Sequence, residues 1–343
     1  MNTNTVTKKR KYILLAVLVT CVLGVIVFRN NRRVATPLET PLTGPQIQKP
    51  SFHPVYLGSK PKITIQLDSE TELPSTLPIY KINANPFTEE QMNALALTFG
   101  FKEKAYKASD EIFGNTYLYY SGYNRLRILP NQKIIDLKTD RKIDQEFKST
   151  PANNAVDKIA SDYLLRQGLI KDKSEISLDK VKSLTIGEGG HFIENKNPNL
   201  ISVSYIKKIN NYSILAPTAE TGIIRVDLNS KLETYSVYID DVPELTEDKS
   251  YPVKTFDEVT SSVELYSTIQ SVNDGKADIA DINQSDIKNV VVKSIDIAYV
   301  QEIKPDAQYL QPVFILKGTA SYGSGEPQAV TLYLPAISNL YFK

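Results

Sequence analysis

The chain has 343 residues, enough for two or three domains, and its 41% hydrophobic and 23% charged content suits a globular fold with a real core. The formal charge of +1 hides an asymmetry: residues 1–33 carry seven basic and no acidic side chains, leaving 33 basic against 39 acidic in the rest. That acidic bulk argues against a nucleic-acid partner, while one cysteine and two histidines exclude an intramolecular disulfide and leave little for metal or acid–base chemistry.

At the start, KKRKYILLAVLVTCVLGVIVFRNNRR reads as charge, apolar run, charge. Tyr12 to Phe28 would span about 25 Å as a helix, near the hydrocarbon thickness once flanking Lys and Arg snorkel. The run lacks the small-x-small site of a cleaved signal peptide. Thr20 before Cys21, and the apolar residues after it, disfavour a lipidated cysteine. The expectation is an uncleaved anchor that meets the bilayer through residues 12–28, with a cytoplasmic N-terminus and an extracytoplasmic bulk. Gly24 would allow close packing with another membrane helix.

Prolines then crowd the chain from Pro37 to Pro86, and residues 34–72 read as a semi-rigid spacer. Within it PKITIQLD alternates Ile63, Ile65 and Leu67, a strand pattern. Leu73-Pro74-Ser75-Thr76-Leu77 comes within one residue of a sortase sorting signal, but Leu77 stands where Gly belongs. The stretch reads better as the extended entry to a fold, with Ile79–Ile82 as a short strand.

Three helix-then-strands runs follow. Thr88 and Gln91 form a capping box opening a helix over 88–99, with Met92, Leu95, Ala96 and Phe99 on one stripe. TYLYYSG, NRLRIL and KIIDLKT are its strands. A second helix starts at Thr150-Pro151, carries Val156, Ile159, Ala160, Tyr163 and Leu164, and stops at Gly168. KVKSLTI, LISVSYIK, GIIRVDL and LETYSVYI follow it. The third helix is KTFDEVTSSVELYSTIQ, boxed by Thr255 and Glu258, with Phe256, Val259, Val263 and Tyr266 facing inward. NVVVKSIDIAYVQE, QPVFILKGTASYG and AVTLYLPAI complete the chain. The fold class expected is α+β: an N-terminal transmembrane helix, then repeated units of one helix packed on a small antiparallel sheet. The units expected are 1–33 (tail and anchor), 34–72 (spacer), 73–147, 148–249 and 250–343.

SYPVKTFDEV with VKSIDIAYV, YLQPVFILKGTA and VTLYLPAI resembles the C-terminal unit of membrane-anchored, PepSY-like proteins of the YycI/YycH type. LPIYKINANPFTEEQMNALALTFGF is similar to the first unit of that group. The resemblance covers residues 73–343 loosely and 250–343 best. It implies a bitopic, non-catalytic regulator of a cell-envelope sensor system, working by contact with an envelope or membrane protein, and it brings no catalytic residues.

No enzyme constellation emerges beside that resemblance. YGSGEP at 322–327 lacks a nucleophile-elbow spacing and reads as a hairpin turn. GEGGHFIEN at 187–195 misses both phosphate-loop spacings, and His191 with Glu194 lacks a third metal ligand. Asp281, Asn283 and Ser285 have calcium-loop spacing, but Asp286 stands where the turn needs Gly. Asp240 and Asp241 are adjacent on a strand end and point to opposite faces. No catalytic residue, cofactor or metal site is expected.

The tyrosine cluster YLYYSGYN gives the candidate contact residues: Tyr117, Tyr119, Tyr120 and Tyr123. Alternation puts Tyr117 and Tyr119 on one face and Leu118 and Tyr120 on the other. Either the sheet packs on the first helix with its outer tyrosines wet, or an exposed aromatic face binds a partner or an envelope glycan. The same choice applies to Tyr235, Tyr238 and Tyr299. The reading is a non-catalytic extracytoplasmic interaction domain; the alternative is a cell-wall or glycan binding module.

Overall fold

The computed structural model describes residues 46–52, 60–69, 71–83, 85–110, 114–143, 145–186, 192–194, 197–215, 222–240, 244–272, 287–302, 308–322 and 326–343. Contacts divide the chain into residues 1–47 and 48–343, and every element below lies in the second unit.

The elements run β1 (Lys62–Ile65), β2 (Thr76–Asn83), α1 (Glu89–Thr98), β3 (Tyr106–Asp110), β4 (Gly114–Ser121), β5 (Asn124–Leu129) and β6 (Ile134–Lys138). Then come α2 (Asn153–Arg166), β7 (Ser177–Ile186), β8 (Phe192–Glu194), β9 (Leu200–Ile209), β10 (Tyr212–Leu215), β11 (Ile224–Asn229) and β12 (Thr234–Asp240). The last are β13 (Glu244–Pro252), α3 (Phe256–Tyr266), β14 (Thr268–Val272), β15 (Ile287–Val300), β16 (Tyr309–Tyr322) and β17 (Gln328–Pro335).

Strands dominate, and they form large sheets. Nine pair antiparallel in the order β3-β4-β5-β6-β12-β11-β9-β7-β8. This corrects the expectation of an α+β repeat of one helix on one small sheet. The first two helix-and-strand runs share a single sheet, because their last strands, β6 and β12, pair from Lys138↔Ser236 to Ile134↔Asp240. Two small sheets would each have exposed a row of unpaired backbone groups at that edge; joining them satisfies both rows.

The two halves repeat in their inner packing. Helix α1 places Met92 and Ala96 on the sheet, and Asn93 Oδ1 accepts from the Tyr119 hydroxyl of β4 at 3.0 Å. Helix α2 places Val156, Ala160 and Leu164, and Asp157 accepts from the Tyr205 hydroxyl of β9, also at 3.0 Å. Leu126, Ile128, Val203, Val226 and Val237 complete this core.

A mixed sheet holds the rest. Strands β15, β16, β17 and β14 are antiparallel neighbours, while β1 and β10 both run parallel to β15 on its outer edge. The alternating Ile63 and Ile65 thus form a strand docked on β15, paired from Lys62↔Asn289 to Ile65↔Val292. Helix α3 covers one face with Val259 and Val263 on Phe314, Leu316, Leu332 and Leu334. At Gly318 a Cβ would meet the Val291 carbonyl oxygen at 2.0 Å, so glycine permits the approach of β15 to β16. Strand β2 pairs with β13 and touches β16 at Tyr309↔Lys81.

Helix ends differ from expectation in two places. Helix α2 begins at Asn153 rather than at Pro151, with Ala152 as a cap lacking a side-chain bond. Helix α3 ends at Tyr266, and Thr268–Val272 leaves it to pair with β17. Its Phe256 and Tyr266 are exposed, and Ser262 is buried instead.

Among the described residues no helix is long and apolar enough to cross a membrane. The expectation of a single-pass membrane protein with cytoplasmic N-terminus and extracytoplasmic bulk is corrected accordingly. Its span, residues 12–28 with Cys21 and Gly24, lies outside the described residues.

Candidate functional site

Both helices of the nine-stranded sheet lie on one face, which leaves the opposite face without a helical cover. Alternation along the strands decides what it displays. On β4, Tyr119 points inward and is buried, and Tyr117 packs at the edge of the core with the Lys107 ammonium 5.3 Å from its ring. Tyr120 points outward, where its ring meets that of Tyr106 edge-on at 5.9 Å. Tyr123 sits at the β4–β5 turn beside Gly122, whose φ of 59° is left-handed, and is 91% exposed. Of the four candidate tyrosines, the outer surface therefore receives Tyr120 and Tyr123.

Register carries the outer row across the sheet. Tyr120 faces Arg125, and Arg127 faces Asp136. Asp136 faces Tyr238, which faces Arg225, which faces Ser204, which faces Lys180. One row over, Lys138 faces Ser236, Ser236 faces Asp227, Asp227 faces Ser202, and Ser202 faces Lys182. Among the described residues of these two rows, six cations accompany three carboxylates, of which Asp227 and Asp240 are buried, since Asp240 follows Tyr238 on the same side.

The carboxylates are already engaged by protein. Asp136 Oδ2 lies 3.3 Å from Arg125 Nη2 and 3.0 Å from Arg127 Nη2, so one carboxylate serves two guanidinium groups. Asp227 is buried, accepts from the Ser236 hydroxyl, and lies 3.4 Å from Arg225 Nε. Asp240 accepts from Gln301 Nε2 at 3.0 Å. Burial, with Asp240 nearby, pushes the Tyr238 hydroxyl up to about 12, so it stays a neutral donor. The Arg225 guanidinium stacks 6.0 Å from the Tyr238 ring. The side chains of Arg125 and Arg127 remain 43% exposed, although their Nε atoms are buried and one Nη of each is turned to Asp136.

At one end of this face an open groove of about 530 Å³ runs between Tyr123, Lys138, Asp140, Asn199 and Tyr235. Tyr235 is buried at its base, with the Lys138 ammonium 5.5 Å from the ring. Tyr299 is not part of any exposed face: it is buried at the junction of the sheets, donating its hydroxyl to the Pro78 carbonyl at 2.8 Å.

No family model, no curated protein and no solved structure matches the chain.

The remaining sequence candidates fall as follows. His191, Asp241 and the 281–286 stretch lie outside the described residues. Among the described residues no group of three His, Cys, Asp or Glu side chains could hold a metal ion. The strands flanking YGSGEP are antiparallel neighbours, pairing Ala320 with Gln328. Sequence reasoning passed over Arg125, Arg127, Arg225, Asp136 and Tyr106. The alternation in NRLRIL already places two arginines on one face. Their union with Tyr238 and Arg225 needed the β6–β12 pairing.

Proposed function

We propose that this chain is a non-catalytic interaction protein that docks an acidic protein segment on the helix-free face of its nine-stranded sheet. The observation that carries the reading is the pairing on this face: Tyr120 lies opposite Arg125 and Tyr238 opposite Arg225, while Arg125 and Arg127, each 43% exposed, share the single carboxylate of Asp136. Tyrosine and arginine are the residues that most often dominate binding energy, because each brings rigid area and directed donors at low entropic cost. Arginine forks match carboxylates in pairs, and an excess of cations steers an acidic partner to the face. The reading accords with the resemblance of residues 250–343 to PepSY-like regulators, proteins that act by contact rather than by chemistry.

The test is fluorescence anisotropy of a labelled oligoglutamate peptide with the full chain. Binding that falls with added salt, and falls about tenfold or more in the combined Arg125→Gln, Arg127→Gln, Arg225→Gln variant, supports the reading. Equal binding by wild type and variant, or tighter binding of an oligothymidylate of the same charge, removes it.

A second reading rests on the Tyr123 groove. An exposed ring beside Asp140 and Asn199 offers the stacking surface and paired polar groups that suit a sugar. Cosedimentation with purified envelope glycan, lost on Tyr123→Ala, is its expected signature; no cosedimentation ends it.

A further inference from the structure

A separate cleft of about 420 Å³ opens at the far end of α3, where the chain leaves the helix to become β14. Its apolar side is formed by Phe52, Pro61, Ile63, Ile269 and Leu332 with the ring of Tyr266, and its polar side by Glu264, Ser267 and Thr268 beside two lysines. Phe52 is fixed edge-on against the buried Tyr333 ring at 5.7 Å, and Ile63 is held by strand β1, so neither wall depends on a free side chain.

The two ammonium groups of the cleft lie close to the α3 terminus. Lys49 lies 3.6 Å from the centroid of the Tyr266 ring, and Lys60 donates to the Leu265 carbonyl at 2.5 Å. The α3 terminus contributes partial negative charge there, which Lys60 covers. Glu264 faces the cleft too, its Oε1 accepting from the Ile63 backbone N–H at 3.2 Å, so the three charged side chains leave the cleft a net charge of +1. Burial, then the Lys60 charge, lowers the pKa of Lys49, so the pair repel each other inside a partly desolvated site. Each ammonium carries three donors, and the contacts named engage one donor of Lys60 and the face of one ring for Lys49. Among the described residues these contacts leave donors for an anion, which would relieve the repulsion.

We propose that this cleft is a binding site for a small amphiphilic anion, its acyl or aromatic body on the apolar walls and its carboxylate or phosphate between Lys49 and Lys60. The chemistry is that of a ligand site with one apolar side to hold the body and convergent polar groups to fix orientation. The head group is recognised by charge-assisted hydrogen bonds, the body by area removed from water. The site is distinct from the Tyr–Arg face and does not depend on how that face is used.

Titration calorimetry of the full chain with octanoate and octyl phosphate tests it, with octylammonium and octanol as controls of equal chain length. Both anions are expected to bind, about tenfold or more tighter than either control, and to lose about tenfold in Lys49→Gln, Lys60→Gln. The Lys49→Arg, Lys60→Arg variant, which keeps the charges, should retain most of the affinity. Preference between the two anions identifies the head group. Failure of both anions to bind, equal binding of octanol, or undiminished binding by the glutamine variant overturns the proposal. An unchanged urea midpoint in each variant separates lost recognition from lost structure.

Discussion

The two sheets solve the same problem differently. In the nine-stranded sheet, β5 reads Arg-Leu-Arg-Ile, with Leu126 and Ile128 buried under the helices and both arginines half-exposed behind them. In the mixed sheet, β16 reads Val-Phe-Ile-Leu over 313–316 and every one of these side chains is buried. Phe314 and Leu316 face α3, while Val313 and Ile315 join Ala298, Val300 and Tyr333 in a second apolar cluster with Phe52 against it. A strand buried on one face alternates; a strand buried on both runs continuously apolar. The comparison gives both sheets a buried core, the mixed sheet a second buried face, and the nine-stranded sheet an accessible polar one.

That contrast can be broken by paired substitutions on equivalent outer faces. Ile315→Ala, on the mixed sheet, is expected to lower unfolding free energy by about 2–5 kcal/mol, through lost burial and an unfilled cavity. Urea denaturation measures it, and a loss below about 1 kcal/mol would show that this face is not a core.

The next effect is one of pH. Lys254 is buried between β13 and α3, its ammonium donating to the Pro335 carbonyl at 2.7 Å and to the Ile337 carbonyl, with the Phe342 ring 5.4 Å away. Burial lowers its pKa from 10.5 to about 7, against the raising charge of Glu258 and with a lesser lowering from Lys49. Between those values the unfolded chain holds a proton that the fold has released. Stability therefore rises with pH across that window, by up to about 1.4 kcal/mol per pH unit from this group, and is indifferent to it below about 7. Lys254→Met should flatten the rise, and an unchanged pH slope in that variant would refute the assignment.

Smaller still is the cap. Thr255 Oγ1 accepts from the Glu258 N–H at 3.3 Å while the Glu258 carboxylate accepts from the Thr255 N–H at 2.8 Å. Thr255→Ala is expected to cost about 1 kcal/mol, read from the same denaturation curves. The smallest change is Arg127→Gln on the open face, within about 0.5 kcal/mol, although it removes one of the proposed partner contacts. A large loss there would mean that the Arg127–Asp136 pair serves the fold rather than binding.

Local chemistry was legible wherever one element sufficed. Both capping boxes form, at Thr88 and Thr255, and most interior strands fall where alternation placed them. Strand β13 was not legible: Glu244–Pro252 is acidic and mostly exposed, and it is a strand because β2 pairs with it. Nor was the end of α3, since Thr268–Val272 has helical spacing but gains a ladder on β17. Tyr119 and Tyr120 could be assigned to opposite faces from their spacing, whereas which face remained open depended on where both helices settled.

Neighbouring residues alone account for the short-range features: two boxed helices, the inward stripes of Met92, Ala96, Val156 and Ala160, and the alternation that separates Leu126 from Arg127. Long-range pairing set the union of β6 with β12, and with it the shared arginine and tyrosine face, and separately the docking of β1 on β15. The physical reason is range. A cap or a stripe is fixed by neighbours three or four residues apart, while strand edges distant in the chain find each other only because each would otherwise leave its backbone groups unpaired.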